Sequence, residues 1–197
     1  RAPVKPVVDI VPPVIKKDPL SVPLAEKKRL WDEYNEVLWS APGLQTTTLY
    51  YSDGRKKVTF ASSEGSYIEQ SRVDVVARVS ATARDGGDVQ QASLSLGSYG
   101  DYGAMEGLHQ QVRECAEKAV ALLSAPRVKG GEYTLVCDPV LAGVFVHEAF
   151  GHLSESDFVY ENDNMRQIMV LGRRFGGAHL NIVDGGAVPG LRGSFKY

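Results

Sequence analysis

Residues 72–81 carry the pattern that most restricts the fold of this chain. Apolar side chains occupy every second position there, at Val73, Val75, Ala77, Val79 and Ala81. Successive side chains of a β-strand point to opposite faces, so this alternation predicts a strand with one buried and one solvated face. A turn sequence at 84–88 and a strand-like run at 89–96 follow it. This stretch therefore predicts antiparallel pairing.

Two more segments extend the predicted sheet. Thr46–Tyr51 and Lys57–Ser62 are rich in strand-forming residues, and Ser52-Asp53-Gly54-Arg55 between them is typical of a hairpin turn. Apolar residues recur at helical spacing in Leu24–Trp39 and from about Ala104 to Ser124. The predicted fold class is α+β: an antiparallel β-meander packed with helices.

The first 23 residues differ in composition from the rest. They hold six of the ten prolines, which favours an extended linker from a preceding part of the protein; a disordered tail is an equal alternative. Residues 24–197 are predicted to form one α+β domain. The chain begins without methionine and ends on what resembles mid-domain sequence, so we expect a fragment of a longer protein.

Charge and composition exclude several classes of function. A net charge of −2 and a pI near 6.1, with scattered basic residues, predict no attraction to nucleic acid. No apolar run reaches transmembrane length, so no membrane association is expected. Two cysteines cannot form a disulfide framework, which favours a reducing cytoplasm.

Three polar residues, His147, Glu148 and His152, lie in an otherwise mostly apolar segment. Imidazole nitrogen binds zinc well, and a carboxylate beside a metal-bound water can take its proton. The histidines are five positions apart, however, and five residues of regular α-helix advance roughly 500°, which points the two rings apart. For both to reach one ion, the helix must contain a π-type turn or end near Gly151. The spacing predicts an irregular or terminating helix there.

The segment before the motif has a predicted start. Glu132–Cys137 is expected to be a short strand, and Asp138 followed by Pro139 is typical of a helix N-cap and first helical position. A strand running into a mostly apolar helix predicts that the motif lies in the interior, where a cation would compensate the buried charge.

Acidic and polar residues follow the second histidine. Residues 154–167 are predicted to form a lid or substrate-binding loop, with an ordinary surface loop as the alternative. Glu155 or Asp157 could orient a ligand histidine from behind, since a metal-bound imidazole usually donates its other N–H to a carboxylate or carbonyl. Leu180–Val183 is predicted to be a strand.

Several motifs together resemble the TldD branch of the TldD/PmbA proteins. They cover nearly the whole chain after about residue 20: WDEYNEVL (31–38), SEG (63–65), ARDGG (83–87), LLSAPRVKGGEY (122–133), HEAFGH (147–152) with Glu155, Asp157 and Phe158, LGRRFG (171–176), LNIVD (180–184) and PGLRGS (189–194). The family was first labelled a modulator of DNA gyrase and is now regarded as zinc metallopeptidases. The charge gives the older label no support.

The resemblance implies Zn²⁺ ligands at His147 and His152 and a general base at Glu148. The family's third ligand is a cysteine, expected beyond Tyr197, and Cys137 does not match it. Residues 1–197 alone therefore need not be active. The resemblance also implies short or unfolded peptide substrates and a homodimer or a heterodimer with a PmbA-type subunit. The alternative is a non-catalytic scaffold or partner subunit with an incomplete metal site.

Overall fold

The computed structural model describes residues 5–186, 188, 191–194 and 196–197, and it divides into two compact units. The sheet unit comprises residues 5–127 with the described residues of 188–197. The motif unit is Val128–Gly186. Residues 1–4 of the predicted linker lie outside the described residues. Whether residues 24–197 fold as one domain stays a prediction.

The sheet unit is built around one long central strand. Four strands form its sheet: β1 (Val8–Val11), β2 (Leu44–Ala61), β3 (Tyr67–Asp85) and β4 (Asp88–Tyr99). β3 pairs antiparallel with β2 along one side and with β4 along the other, where β1 also joins it in parallel. The alternating residues of β3 are all buried, as their pattern predicts.

Two helices cover the buried face of the sheet. They are α1 (Leu24–Trp39) and α2 (His109–Leu123), and Leu38 of α1 and Val112 of α2 share one core cluster with Val79 of β3. Tyr34 of α1 binds the segment just before α2: its hydroxyl donates to the carbonyl of Met105 at 2.7 Å and accepts from the N–H of Leu108 at 3.1 Å. Burying apolar side chains between two layers is the main stabilising contribution in such a domain.

The motif unit is helical and much less buried. It contains α3 (Pro139–Val146), a π-helical turn (His147–Gly151), a 3-10 turn (His152–Ser154), α4 (Ser156–Glu161) and α5 (Asp163–Ile168). Among its described residues only Met165 is buried. None of the helices that the structure describes combines the length and apolar character that a membrane crossing needs.

The predicted fold class is confirmed, with differences in detail. The α+β architecture holds, and α1 has the predicted bounds, but the sheet is mixed because β1 joins it in parallel. Part of the predicted linker is thus a sheet strand. Residues 102–105 form a 3-10 turn, so α2 begins at His109 and not near Ala104.

The predicted hairpin at Ser52-Asp53-Gly54-Arg55 is wrong. β2 continues through these residues, and Gly54 pairs with Asp74 in the middle of the ladder. Asp53 lies on the helix-covered face, where Lys27 of α1 forms an ion pair with it and Tyr51 donates a 2.5 Å hydrogen bond to it. A carboxylate with two partners can be buried inside a strand, although its sequence resembles a turn.

Three predictions about the motif unit are also wrong. Neither Glu132–Cys137 nor Leu180–Val183 forms a strand, because no neighbouring segment among the described residues supplies the hydrogen-bonding partner a strand requires. The motif helix is not packed inside: α3 and the π turn contain no buried residue. No second layer of this unit covers the motif helix in the part of the chain that the structure describes.

Candidate metal centre

Local capping fixes where the motif helix begins. The side chain of Asp138 accepts a 2.7 Å hydrogen bond from the N–H of Leu141, and Pro139 occupies the first turn, where its missing N–H costs nothing. This start was predicted from sequence and is confirmed. It sets the rotational phase with which the helix reaches His147.

The predicted irregularity lies between the two histidines. The chain changes from α-helix to a π turn at His147, and the N–H of His152 donates to the carbonyl of His147. A π turn places residues five apart above each other, as an α-helix does for residues four apart. The imidazole rings therefore face the same side, with centroids 4.5 Å apart and planes at 66°. The prediction of an irregular helix is confirmed.

Three potential ligand atoms converge at this turn. One nitrogen of His147, one of His152 and a carboxylate oxygen of Glu148 all lie within 4.8 Å of one another. Ligand atoms about 2.0–2.2 Å from one ion lie at most about 4.4 Å apart, so small side-chain rotations bring this set to a cation. Imidazole and carboxylate are ligand types that divalent transition metals prefer. The donor set fits a metal ion.

Of the two acidic residues singled out from sequence, the structure brings only Glu155 to the motif. Its Oε1 lies 2.8 Å from Nδ1 of His152, whereas Nε2 of the same ring is 3.6 Å from Oε2 of Glu148. Asp157 instead accepts a hydrogen bond from the N–H of Phe158 and, in the described part of the chain, contacts neither histidine. The roles of all five residues stay predictions.

The segment after the motif is mostly helical, whereas a loop is predicted from sequence. Most of residues 154–167 belongs to α4 and α5, and the side chain of Asn162 caps α5 by accepting from the N–H groups of Asn164 and Met165. The residues are mainly exposed. Whether they close over a substrate stays a prediction.

An apolar groove of about 670 Å³ runs along another side of the motif helix, and sequence analysis did not predict it. Its lining includes Ala142, Phe145 and Ala149, whose spacing of three and four residues could have indicated it. Phe150 contributes an edge-to-face contact with Phe175, with ring centroids 5.3 Å apart. Cys137 lines this groove and is not among the converging ligand atoms.

Fold and site together define an α+β protein with a candidate metal centre on a π-distorted helix. Comparison with protein families gives the family itself. Residues 17–123 match the model of the PmbA/TldA metallopeptidase central domain, and residues 130–197 match the model of the PmbA/TldA metallopeptidase C-terminal domain. The chain belongs to the PmbA/TldD metallopeptidase family.

Curated relatives agree with this assignment. The chain is 46% identical over 198 residues to Metalloprotease slr0863 of Synechocystis, covering 100% of this chain and 43% of the relative. It is 34% identical to a metalloprotease of Methanothermobacter thermautotrophicus, over 92% of this chain and 40% of that protein. It is 27% identical to the zinc metalloprotease TldD homolog of Saccharolobus solfataricus, over 79% and 35%. The chain thus spans about two fifths of the length of these relatives.

Proposed function

We propose that this chain carries the metal-binding motif of a zinc-dependent metallopeptidase of the TldD branch, which hydrolyses short or unfolded peptides. The observation that supports this most is the π turn, because it brings the two imidazole rings to the same side, whereas an uninterrupted α-helix would point them apart. The relatives are named metalloproteases, and one is named a zinc metalloprotease. The activity belongs to the whole protein, of which a further ligand, a cysteine, is proposed to lie outside residues 1–197.

Each motif residue has a distinct proposed role. His147 and His152 contribute ring nitrogens to the ion, and Glu148 takes the proton of the water that attacks the peptide carbonyl. Zinc, when bound by these residues, would supply a Lewis acid that polarises the carbonyl and makes the water more acidic. Glu148 is 64% exposed and lies beside both rings. We propose that the same carboxylate then gives this proton to the leaving amine.

The decisive experiment is Glu148→Gln in the full-length protein. The amide keeps the shape of the side chain but cannot take a proton, so peptide cleavage should fall at least about 100-fold, while zinc content stays near that of the wild type. Glu161→Gln is a matched control, since Glu161 is an exposed glutamate of α4 without a hydrogen bond or ion pair among the described contacts.

Two results would contradict the proposal. Full activity of Glu148→Gln would contradict the proposed role of Glu148 as general base. Zinc well below one ion per wild-type protein at neutral pH would favour the alternative, a non-catalytic scaffold or partner subunit.

We further propose a cytoplasmic assembly, either a homodimer or a heterodimer with a PmbA-type subunit. A single monomeric mass in native mass spectrometry at working concentration would contradict this assembly.

An extended peptide substrate could bind by strand addition to the sheet unit. Within the described residues β2 pairs only with β3, which leaves the other edge of an 18-residue strand without a neighbour. Free N–H and C=O groups on such an edge accept unstructured peptides whatever their side chains. A peptide substrate should slow amide exchange along β2, and unchanged exchange there at saturating peptide would rule out this binding mode.

A further inference from the structure

Two carboxylates face the two nitrogens of one histidine ring. Glu155 Oε1 is 2.8 Å from Nδ1 of His152, and Glu148 Oε2 is 3.6 Å from Nε2. The first distance is that of a hydrogen bond, and the second exceeds the range for one. A neutral imidazole carries a single N–H, so only one of these carboxylates can accept it. Because only Glu155 lies at hydrogen-bond distance, the geometry favours the tautomer with its proton on Nδ1, toward Glu155.

The backbone keeps Glu155 next to this ring. The N–H of Glu155 lies 3.4 Å from the carbonyl of His152, closing the 3-10 turn, and the carbonyl of Glu155 accepts from the N–H of Val159 in α4. Glu155 is thus the residue at which the motif turn ends and α4 begins. Its side chain reaches back across this 3-10 turn to the ring of His152, three residues earlier.

We propose that Glu155 is a positioning residue of the metal site: its carboxylate holds the proton of His152 on Nδ1 and leaves Nε2 free to bind the ion. The part of this inference that concerns metal binding rests on the proposed function, because only a metal site needs a free Nε2. The part that concerns the position of the proton rests only on the geometry of the motif unit. Asp157, two residues further on, has no such role, because its carboxylate accepts from Phe158 instead.

Glu155 also protects the proposed general base. If its carboxylate is removed, the ring proton is drawn to Nε2, where Glu148 is the nearest acceptor. A hydrogen bond from Nε2–H to Glu148 would then occupy both the ligand atom and the base. Glu155 therefore separates the two functions of the motif: one ring nitrogen for the ion, and one free carboxylate for the water.

The contact contributes little to folding, which makes it testable. The side chains of His152 and Glu155 are 50% and 51% exposed, and exposed charged pairs add little to stability. Glu155→Ala should consequently fold as the wild type does, with the same circular dichroism and melting temperature. A change in metal binding would then not reflect unfolding.

The first measurement is metal affinity in the full-length protein. After removal of metal by chelator, zinc is titrated by calorimetry into the wild type, Glu155→Ala, Glu155→Gln and Asp157→Ala. Loss of a carboxylate behind a ligand histidine typically weakens metal binding about 10- to 100-fold. We expect that loss for Glu155→Ala, a smaller loss for Glu155→Gln, whose amide oxygen still accepts, and a change below about twofold for Asp157→Ala.

The second measurement needs no metal. Nitrogen NMR of the metal-free protein reports which ring nitrogen of His152 carries the proton, and we expect Nδ1–H in the wild type and Nε2–H in Glu155→Ala. A merely structural role of Glu155 would leave the proton on the same ring nitrogen in both proteins.

The outcomes separate this inference from the proposed function. Nδ1–H retained in Glu155→Ala, or equal weakening by Asp157→Ala, would overturn the role of Glu155 even if the protein is a zinc peptidase. A wild type that binds no zinc would contradict the proposed function, while the NMR result would still decide whether Glu155 sets the proton position on His152.

Discussion

The sheet unit and the motif unit obtain their structure in different ways. The sheet unit buries a continuous set of side chains between β2–β4 and the helices α1 and α2, whereas the motif unit buries only Met165 among its described residues. Yet the motif unit has well-formed caps and turns at Asp138 and Asn162. The comparison teaches that burial between layers maintains the sheet unit, while caps, turns and a few side-chain contacts such as Phe150–Phe175 maintain the described geometry of the candidate metal centre.

The largest expected effect comes from a leucine-to-alanine substitution in the core of the sheet unit, and the same substitution in the motif unit serves as the comparison. Leu38→Ala removes a side chain with 0% exposure from the sheet core and should cost about 2–5 kcal/mol of unfolding free energy. Leu141→Ala removes one that is 55% exposed on α3 and should cost less than about 1 kcal/mol. Urea unfolding of the 197-residue chain measures both. Similar costs for the two variants would mean that the motif unit has a core of its own.

Alkaline pH should destabilise the sheet unit. Burial, and secondarily the charge of Glu106, raise the pKa of Tyr102 from 10.0 to about 12. The unfolded chain loses this proton first, so the stabilisation is complete below pH 10 and is lost as the pH rises toward 12. Because one pKa unit corresponds to about 1.4 kcal/mol, the raised pKa of Tyr102 adds at most about 2–3 kcal/mol to the free energy of unfolding below pH 10.

Urea unfolding at pH 8, 9, 10 and 11 measures this loss. Burial also raises the pKa values of Tyr34 and Tyr51, which increases the slope in the same direction. Tyr102→Phe should reduce the slope, because phenylalanine has no proton to lose. An unchanged slope in Tyr102→Phe would contradict the assignment of the slope to buried tyrosines.

The smallest expected effect concerns the cap of the motif helix. Asp138→Ala removes the acceptor for the N–H of Leu141 and should cost α3 about 1 kcal/mol, seen as roughly fivefold faster amide exchange in α3 with unchanged exchange in β3 and α2. Asn162→Ala is the control in the same unit, since it removes the cap of α5. Zinc affinity should fall more for Asp138→Ala than for Asn162→Ala, because only Asp138 caps the helix that leads into His147. Unchanged exchange in α3 would show that contacts other than this cap fix the helix.

What could be predicted from sequence follows the same division. The bounds of α1, the cap at Asp138 and an irregular or terminating helix at the histidines depend on residues within a few positions of each other, and all three are predicted from sequence; the structure shows which irregularity it is, a π turn. The misread hairpin depended on Lys27, 26 residues before Asp53. The strand β1 depended on pairing with β3, where the N–H of Val7 also donates to Ser66, 59 residues along the chain. Neither partner is visible in a local pattern.

The acidic residues after the motif show a finer limit. From sequence Glu155 and Asp157 were equivalent candidates, three and five positions after His152. Which of them contacts the ring depends on where the 3-10 turn ends and α4 begins, and that boundary falls at Glu155. A difference of two residues in a helix boundary thus decided between a contact with the histidine and a contact with Phe158.

The π turn also has a consequence for how insertions and deletions act on this protein. Deleting one residue between His147 and His152 would give a four-residue spacing, which an ordinary α-helix can align, so the histidine pair would survive. Because four residues of α-helix and five residues of a π turn advance by nearly the same angle, the segment after His152 would also keep its direction. The same deletion in a regular α-helix would rotate everything beyond it by about 100°. The π turn is therefore a point at which this chain should tolerate the loss of one residue.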